Sequence, residues 1–195
     1  TQYDGYDPYS RRHPFRPSTG RIHTIDPDTG ATTLAPGLRR VHNLTGMTVG
    51  GSELFLARRL QDARRFPRNV IEVRDARTGT LLRRMRLPLP GYVSRLAAFG
   101  SRLYVAGSFR RYRSDGQPAH LAVMSVDPRG AALRSDFDTH AHGPVYGLSP
   151  TAGTLYISGL FDRVGGVPRK GIAAVSAKSA IRIPRSITGG ENAEP

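Results

Sequence analysis

The chain has 195 residues, enough for one domain with a real core, and carries a formal net charge of +14 from 29 basic and 15 acidic residues. It contains no cysteine, which excludes disulfides, thiolate metal sites and cysteine nucleophiles. Its apolar runs fall far short of the roughly 18 residues that a transmembrane helix needs.

The first segment, residues 1–19, differs from all that follows. Tyr3, Tyr6 and Tyr9 are spaced three apart, and Arg11-Arg-His-Pro-Phe-Arg-Pro17 comes next. Period three with Pro and Gly predicts an extended, polyproline-like arm. Tyr and Arg are favoured at interfaces, so Tyr3, Tyr6, Tyr9, Arg11, Arg12 and Phe15 are candidate partner-binding anchors. No basic-apolar-small signal opens the chain, and Thr1 stands where Met is usual, which suggests a processed or truncated terminus and fits export.

From residue 20 onward a segment of about 51 residues occurs three times, at 20–69, 70–120 and 121–171. Leu103-Tyr-Val-Ala-Gly-Ser-Phe109 returns as Leu155-Tyr-Ile-Ser-Gly-Leu-Phe161, and a more worn copy reads Leu54-Phe-Leu-Ala57. Pro67, Pro118 and Pro168 march with it, as do Asp26, Asp75 and Asp127, each closing an apolar strand and opening a turn. Val41, Val93 and Val145 each precede a leucine by three residues and extend the alignment.

Within a unit the hydrophobic period is two, which predicts short strands and almost no helix. Asp26-Pro-Asp-Thr-Gly30 and Asp75-Ala-Arg-Thr-Gly79 place Gly where the backbone needs positive φ and Asp where its carboxylate can accept from backbone amides. Four antiparallel strands per unit at this period predict an all-β, β-propeller-like fold: three four-stranded blades plus part of a fourth, after the extended arm. A twisted sheet covers neither of its faces alone, so blades must pack face to face. Residues 172–195 supply an extra strand and a polar C-terminal tail.

The runs Leu103 to Phe109, Gly116-Gln-Pro118 and Leu121-Ala-Val-Met-Ser-Val-Asp127 resemble the delta-sixty repeat of bacterial β-propellers. Leu155 to Phe161, Gly165-Gly-Val-Pro-Arg169 and Ile172-Ala-Ala-Val175 resemble it more closely. The likeness covers residues 20 to 177 and departs in the first unit, where Ala57-Arg-Arg-Leu60 replaces the Gly-x-Phe element. It implies an exported bacterial protein, extracellular or at the cell surface, in which the propeller is a scaffold or binding module.

Three blades are fewer than the four to eight that close a ring. The flanks read poorly as strands, so association with further subunits, of the same or neighbouring chains, is expected to cover the open faces. Basic charge is concentrated early: residues 1–113 hold 21 Arg against 8 acids, whereas 114–195 hold 8 basic against 7 acidic residues. Such asymmetry suits an anionic polymer, and Arg58, Arg59, Arg64, Arg65, Arg110, Arg111 and Arg113 are candidate anion-binding residues on a rim built from inter-strand loops. Solvated strand edges favour basic residues anyway, and 27 of the 29 are Arg, a compositional bias.

Chemistry is sparsely signalled. Asp136-Phe-Asp138-Thr-His140-Ala-His142 could, if extended, turn Asp136, Asp138, His140 and His142 to one face as metal ligands. An ordinary Asp-capped loop before Gly143-Pro144 accounts for the same residues. No G-x-S-x-G elbow or P-loop is present, and no cofactor is expected. Tyr104 and Tyr156 hold equivalent strand positions and suit the core, while Tyr92 and Tyr146 could face a central channel. The sequence thus points first to a non-catalytic binding or structural module, acting through protein contacts and a basic rim. The alternative is a carbohydrate-active or hydrolytic propeller with a loop-built site at one mouth of the ring.

Overall fold

A computed structural model of the chain describes residues 19–60, 68–87, 89–112, 118–130, 137 and 139–179; for 60, 68, 110–112 and 118–120 the backbone alone is described. These residues form an all-β structure of several antiparallel sheets, with no helix among them, and so none long and apolar enough to cross a membrane. The elements are β1 (Thr19–Gly20), β2 (His23–Ile25), β3 (Thr32–Leu34), β4 (Val41–His42), β5 (Leu44–Gly50), β6 (Glu53–Leu60), β7 (Arg68–Asp75) and β8 (Leu81–Arg86). They continue as β9 (Gly91–Phe99), β10 (Arg102–Tyr112), β11 (Pro118–Val126), β12 (Val145–Pro150), β13 (Thr154–Gly159), β14 (Arg163–Val164), β15 (Val167–Pro168) and β16 (Ile172–Ser176).

Three larger sheets follow one another along the chain, ordered β5-β6-β7-β8, β9-β10-β11 and β12-β13-β16. They run from 44 to 86, 91 to 126 and 145 to 176, so each draws strands from two neighbouring units of the sequence repeat. The small sheets are β1-β4, β2-β3 and β14-β15.

The turns form for the reasons their residues suggest. Asp26 Oδ1 accepts from the amides of Asp28 and Thr29, both at 2.9 Å, and Asp75 Oδ1 accepts from Arg77 and Thr78 at 3.0 and 2.7 Å. Gly30 and Gly79 follow with φ of 70° and 72°. Asp127 does the same work once, accepting from the Arg129 amide at 2.8 Å.

Each large sheet carries one extra residue in its first strand, opposite the same place in its second. The ladder skips Thr45, Ser94 and Tyr146, placing Leu44 opposite Arg58, Val93 opposite Gly107 and Val145 opposite Gly159. Leu44, not Val41, is therefore the structural counterpart of Val93 and Val145, and the sequence alignment on valine was three residues out of phase in the first unit. Val41 lies instead in β4, paired with Gly20. A valine in a short run is a weak landmark, because any β-branched residue suits a strand start.

Burial explains the apolar runs. On β10, Leu103 and Val105 enter a core with Phe55, Ala57, Ile71, Val73 and Met85 of the first sheet. The alternate residues Tyr104 and Ala106 enter a second core with Leu155, Ile157 and Val175 of the third sheet. The middle sheet is thus covered on both faces, which is why its strands read as nearly continuous apolar sequence. A third cluster places Ala35, Leu38 and Val41 over Leu54 and Leu56 on the far face of the first sheet. Tyr104 is 1% exposed, as a core residue should be. Its counterpart Tyr156 points to the uncovered face of the third sheet and stays half-buried, beside an Ile172 that is half exposed.

The first strands of the three sheets are neighbours without sharing a ladder. Gly46 of β5 leaves room for β9, since a β-carbon there would lie 3.5 Å from the Arg95 Cα. Ser94 donates its hydroxyl to the Val145 carbonyl at 3.0 Å, tying β9 to β12.

Candidate functional site

The polar group that departs most clearly from the repeat lies where the segment before β12 meets the loop after β13. Gly143 has φ of 124°, and a β-carbon there would collide with the Leu160 carbonyl and the Phe161 backbone. Only glycine lets the two segments cross so closely. The crossing brings His142 beside Asp162 and Arg163. The His142 amide donates to the Arg163 carbonyl at 3.0 Å, and the Asp162 amide donates to the His142 carbonyl at 3.2 Å.

The hairpin β14–β15 turns through Gly165 and Gly166, both at positive φ (58° and 77°), as a two-residue hairpin turn requires. Buried Val164 anchors it, and the Gly165 amide donates to the carbonyl of fully buried Thr139 at 3.1 Å. The Arg169 amide donates to the Asp162 carbonyl at 2.7 Å, so main-chain bonds hold Asp162 from both sides.

On this frame His142 Nδ1 and Asp162 Oδ1 are 2.9 Å apart, with both side chains largely exposed at 80% and 59%. The hydrogen bond from His142 holds the Asp162 carboxyl below its usual range; slight desolvation opposes this, and the charges of His142 and Arg163 add to it. With Nδ1–H donated to Asp162, Nε2 carries the lone pair. That is the arrangement of an imidazole base oriented by a carboxylate.

Neither residue belongs to the scaffold logic of the repeat. Gly91 and Phe109 are the structural counterparts of Gly143 and Phe161, so Pro90 and Arg110 stand where the third unit has His142 and Asp162. In the first unit the same places hold Val41 and Gln61. Sequence reading found His142 but missed Asp162. The available signal was the break in the repeat itself: an acid follows Phe161 where an arginine follows Phe109.

The predicted metal cluster is not assembled as an extended strand. Phe137 and Thr139 are buried, His140 is exposed with φ of 44°, and His142 forms a single bridge to Arg163. Asp136 and Asp138 lie outside the described residues. Among the described residues no group of three or more side chains is placed to hold a metal ion. Tyr3, Tyr6, Tyr9, Arg11, Arg12, Phe15, Arg64, Arg65 and Arg113 also lie outside them. Tyr146 is half exposed at the bulge of β12, whereas Tyr92 is half-buried on β9.

The arginine pairs do not sit in inter-strand loops as expected. Arg58 and Arg59 are on β6, Arg83 and Arg84 on β8, and Arg110 and Arg111 on β10. Alternation along these strands turns the two members of a pair to opposite faces, so they do not line one rim. Arg58 is engaged internally: it bonds the Glu72 carboxylate and donates from Nε to the His42 carbonyl at 2.9 Å. Glu72 is 2% exposed and also binds Arg74 at 2.8 Å, with Arg84 at 3.5 Å. Burial pushes its carboxyl up, but the hydrogen bonds and charges of Arg74 and Arg58 outweigh it and hold the pKa below the ordinary value. Arg83 is likewise paired, bidentate with Glu53.

No protein family matches the chain, and no curated protein does. A solved structure does: the crystal structure named "putative 6-phosphogluconolactonase", from Bacteroides uniformis, at 15% identity and a TM-score of 0.44. The match covers 82% of this chain and 50% of that one, so the chain spans about half the length of the protein it resembles. The expectation of a non-catalytic binding or structural module is corrected here, because the solved structure that the chain resembles is named for an enzyme.

Proposed function

We propose that the chain is an arc of a β-propeller of the delta-sixty repeat type whose third unit carries a hydrolytic site, with His142 as general base and Asp162 as its positioning residue. The propeller reading is supported by three successive sheets with the same bulge, neighbouring first strands and two face-to-face cores. The hydrolytic reading rests on the 2.9 Å contact between His142 Nδ1 and Asp162 Oδ1, at positions the other units fill with residues of different chemistry.

A single oriented imidazole suits attack of water on an ester or lactone carbonyl. Glycoside hydrolysis ordinarily uses two carboxylates flanking the bond, and the pair supplies one. His142 Nε2 takes a proton from water as its oxygen bonds to the carbonyl carbon, and Asp162 stabilises the imidazolium that forms. The tetrahedral species then expels the alkoxide, which takes the proton back from His142. The products are a carboxylic acid and an alcohol.

The test is turnover of a panel of activated esters and small lactones by the full chain. The expected result is a rate that falls about 100-fold or more in His142→Ala, with a smaller loss of kcat and an unchanged KM in Asp162→Asn. Equal rates in the wild-type chain and His142→Ala would overturn the assignment.

A further inference from the structure

We propose that the open edge of β2 is a docking site for an antiparallel β-hairpin built like β5–β6 and carried by another polypeptide. The inference does not depend on the chemistry at His142.

The hairpin β2–β3 repeats β7–β8 at an offset of 49 residues. The Gly30 amide donates to the Asp26 carbonyl at 2.8 Å, and Gly79 does so to Asp75 at 2.9 Å. The Asp26 amide donates to Ala31, and the Asp75 amide to Thr80, both at 2.9 Å. With matching glycine φ values and matching carboxylate-to-amide bonds, the two hairpins are one structural unit used twice.

Their surroundings differ in one respect. β7 has β8 on one edge and β6 on the other, whereas β2 pairs with β3 alone among the described residues. A two-stranded hairpin is marginally stable in water, and its unpaired edge is a template for another strand. Because the Asp26 amide is bonded toward β3, alternation along an antiparallel ladder turns the N–H and C=O of His23 and Ile25 to the open edge.

The internal copy specifies what fits there. In β6, Leu54 lies opposite Arg74, Phe55 opposite Val73 and Leu56 opposite Glu72. At the 49-residue offset these partners become Ile25, Thr24 and His23. An incoming Leu-Phe-Leu strand would therefore place leucine against Ile25, an apolar side chain left 67% exposed in place of the ion-paired Arg74. Main-chain bonds supply affinity and that cross-strand apolar pair supplies register, the usual division of labour in strand addition.

The probe is a synthetic peptide with the sequence of residues 43–60, added to the full chain, with amide hydrogen exchange read residue by residue. The expected result is saturable protection of the Ile25 and His23 amides by about tenfold or more, with Thr24 unchanged because its amide already faces β3. A peptide N-methylated at its Leu54 position should fail to protect them, a control that leaves the chain itself untouched. Protection confined to the first sheet would mean that the peptide replaces β6, and would overturn the proposal. So would Ile25 protection that exists before peptide is added, whether it depends on residues 1–18 or on protein concentration, because the edge would then be occupied by the chain itself or by a second copy.

Discussion

Tyr104 crosses from the middle sheet to the third, where its hydroxyl donates to the Ala177 carbonyl at 2.6 Å. Its ring meets that of Phe137 with centroids 5.4 Å apart and planes tilted by 58°. A residue in the middle of β10 thus holds the turn after β16, and both ends of the bond are buried. Two sheets that share no ladder are joined by one side chain.

Tyr104→Phe keeps the ring and removes the donor, leaving the Ala177 carbonyl without that partner. The expected loss is about 1–3 kcal/mol, read as a lower urea midpoint with an unchanged m-value. A midpoint equal to that of the wild-type chain would show that water replaces the tyrosine at no cost.

Gly107→Ala tests why the repeat carries Gly-x-Phe. A β-carbon at Gly107 would strike the Tyr92 carbonyl oxygen, and Phe109, two residues on, fills the adjacent core at 0% exposure. The neighbour is backbone and cannot swing aside, so a loss of about 2 kcal/mol or more is expected. Gly159→Ala should behave alike, since its β-carbon would meet the Pro144 carbonyl. At the first-unit counterpart, Arg58→Ala should show no clash but should leave Glu72 with one cation fewer. Thermal melts of the three variants separate the two kinds of damage.

Glu72→Ala removes the one carboxylate between Arg58 and Arg74 and leaves two guanidinium groups facing each other. A destabilisation of about 3 kcal/mol is expected at neutral pH. Salt should relieve part of it by screening the repulsion between the two cations. A variant as stable as the wild-type chain at low salt would show that Arg58 and Arg74 find other partners.

The same carboxylate gives a pH dependence with a definite sign. Its folded-state pKa lies below its ordinary 4.5, so the stabilisation is complete above that value and is lost as pH falls through the folded-state value. The wild-type chain and Glu72→Gln should therefore differ most at neutral pH and converge in acid. A gap in Tm that stays constant from about pH 6 to about pH 3 would contradict the assignment.

How much could be read beforehand differs from one residue to the next. Asp26, Asp75, Gly30 and Gly79 announced their turns, because turn chemistry is local: a carboxylate two or three residues from an amide, and a φ that glycine adopts freely. The alternation in Leu103, Tyr104, Val105 and Ala106 announced a strand buried on both faces, since period two is a property of the strand itself. His142 was singled out, but with Asp136, Asp138 and His140 as its company rather than Asp162. Those three are close in sequence, and sequence distance is all that a motif search measures.

What the sequence by itself determined about this protein is its all-β character, its repeat and the places where the backbone turns, because these follow from steric and hydrogen-bonding preferences within a few residues. Tertiary structure alone decided which strand starts correspond, Leu44 rather than Val41. It alone assigned Arg58 to a buried Glu72 on the neighbouring strand, and set Asp162 against His142 across a 20-residue separation. Each of these depends on how two segments far apart in the chain are brought together, and packing rather than local preference brings them there.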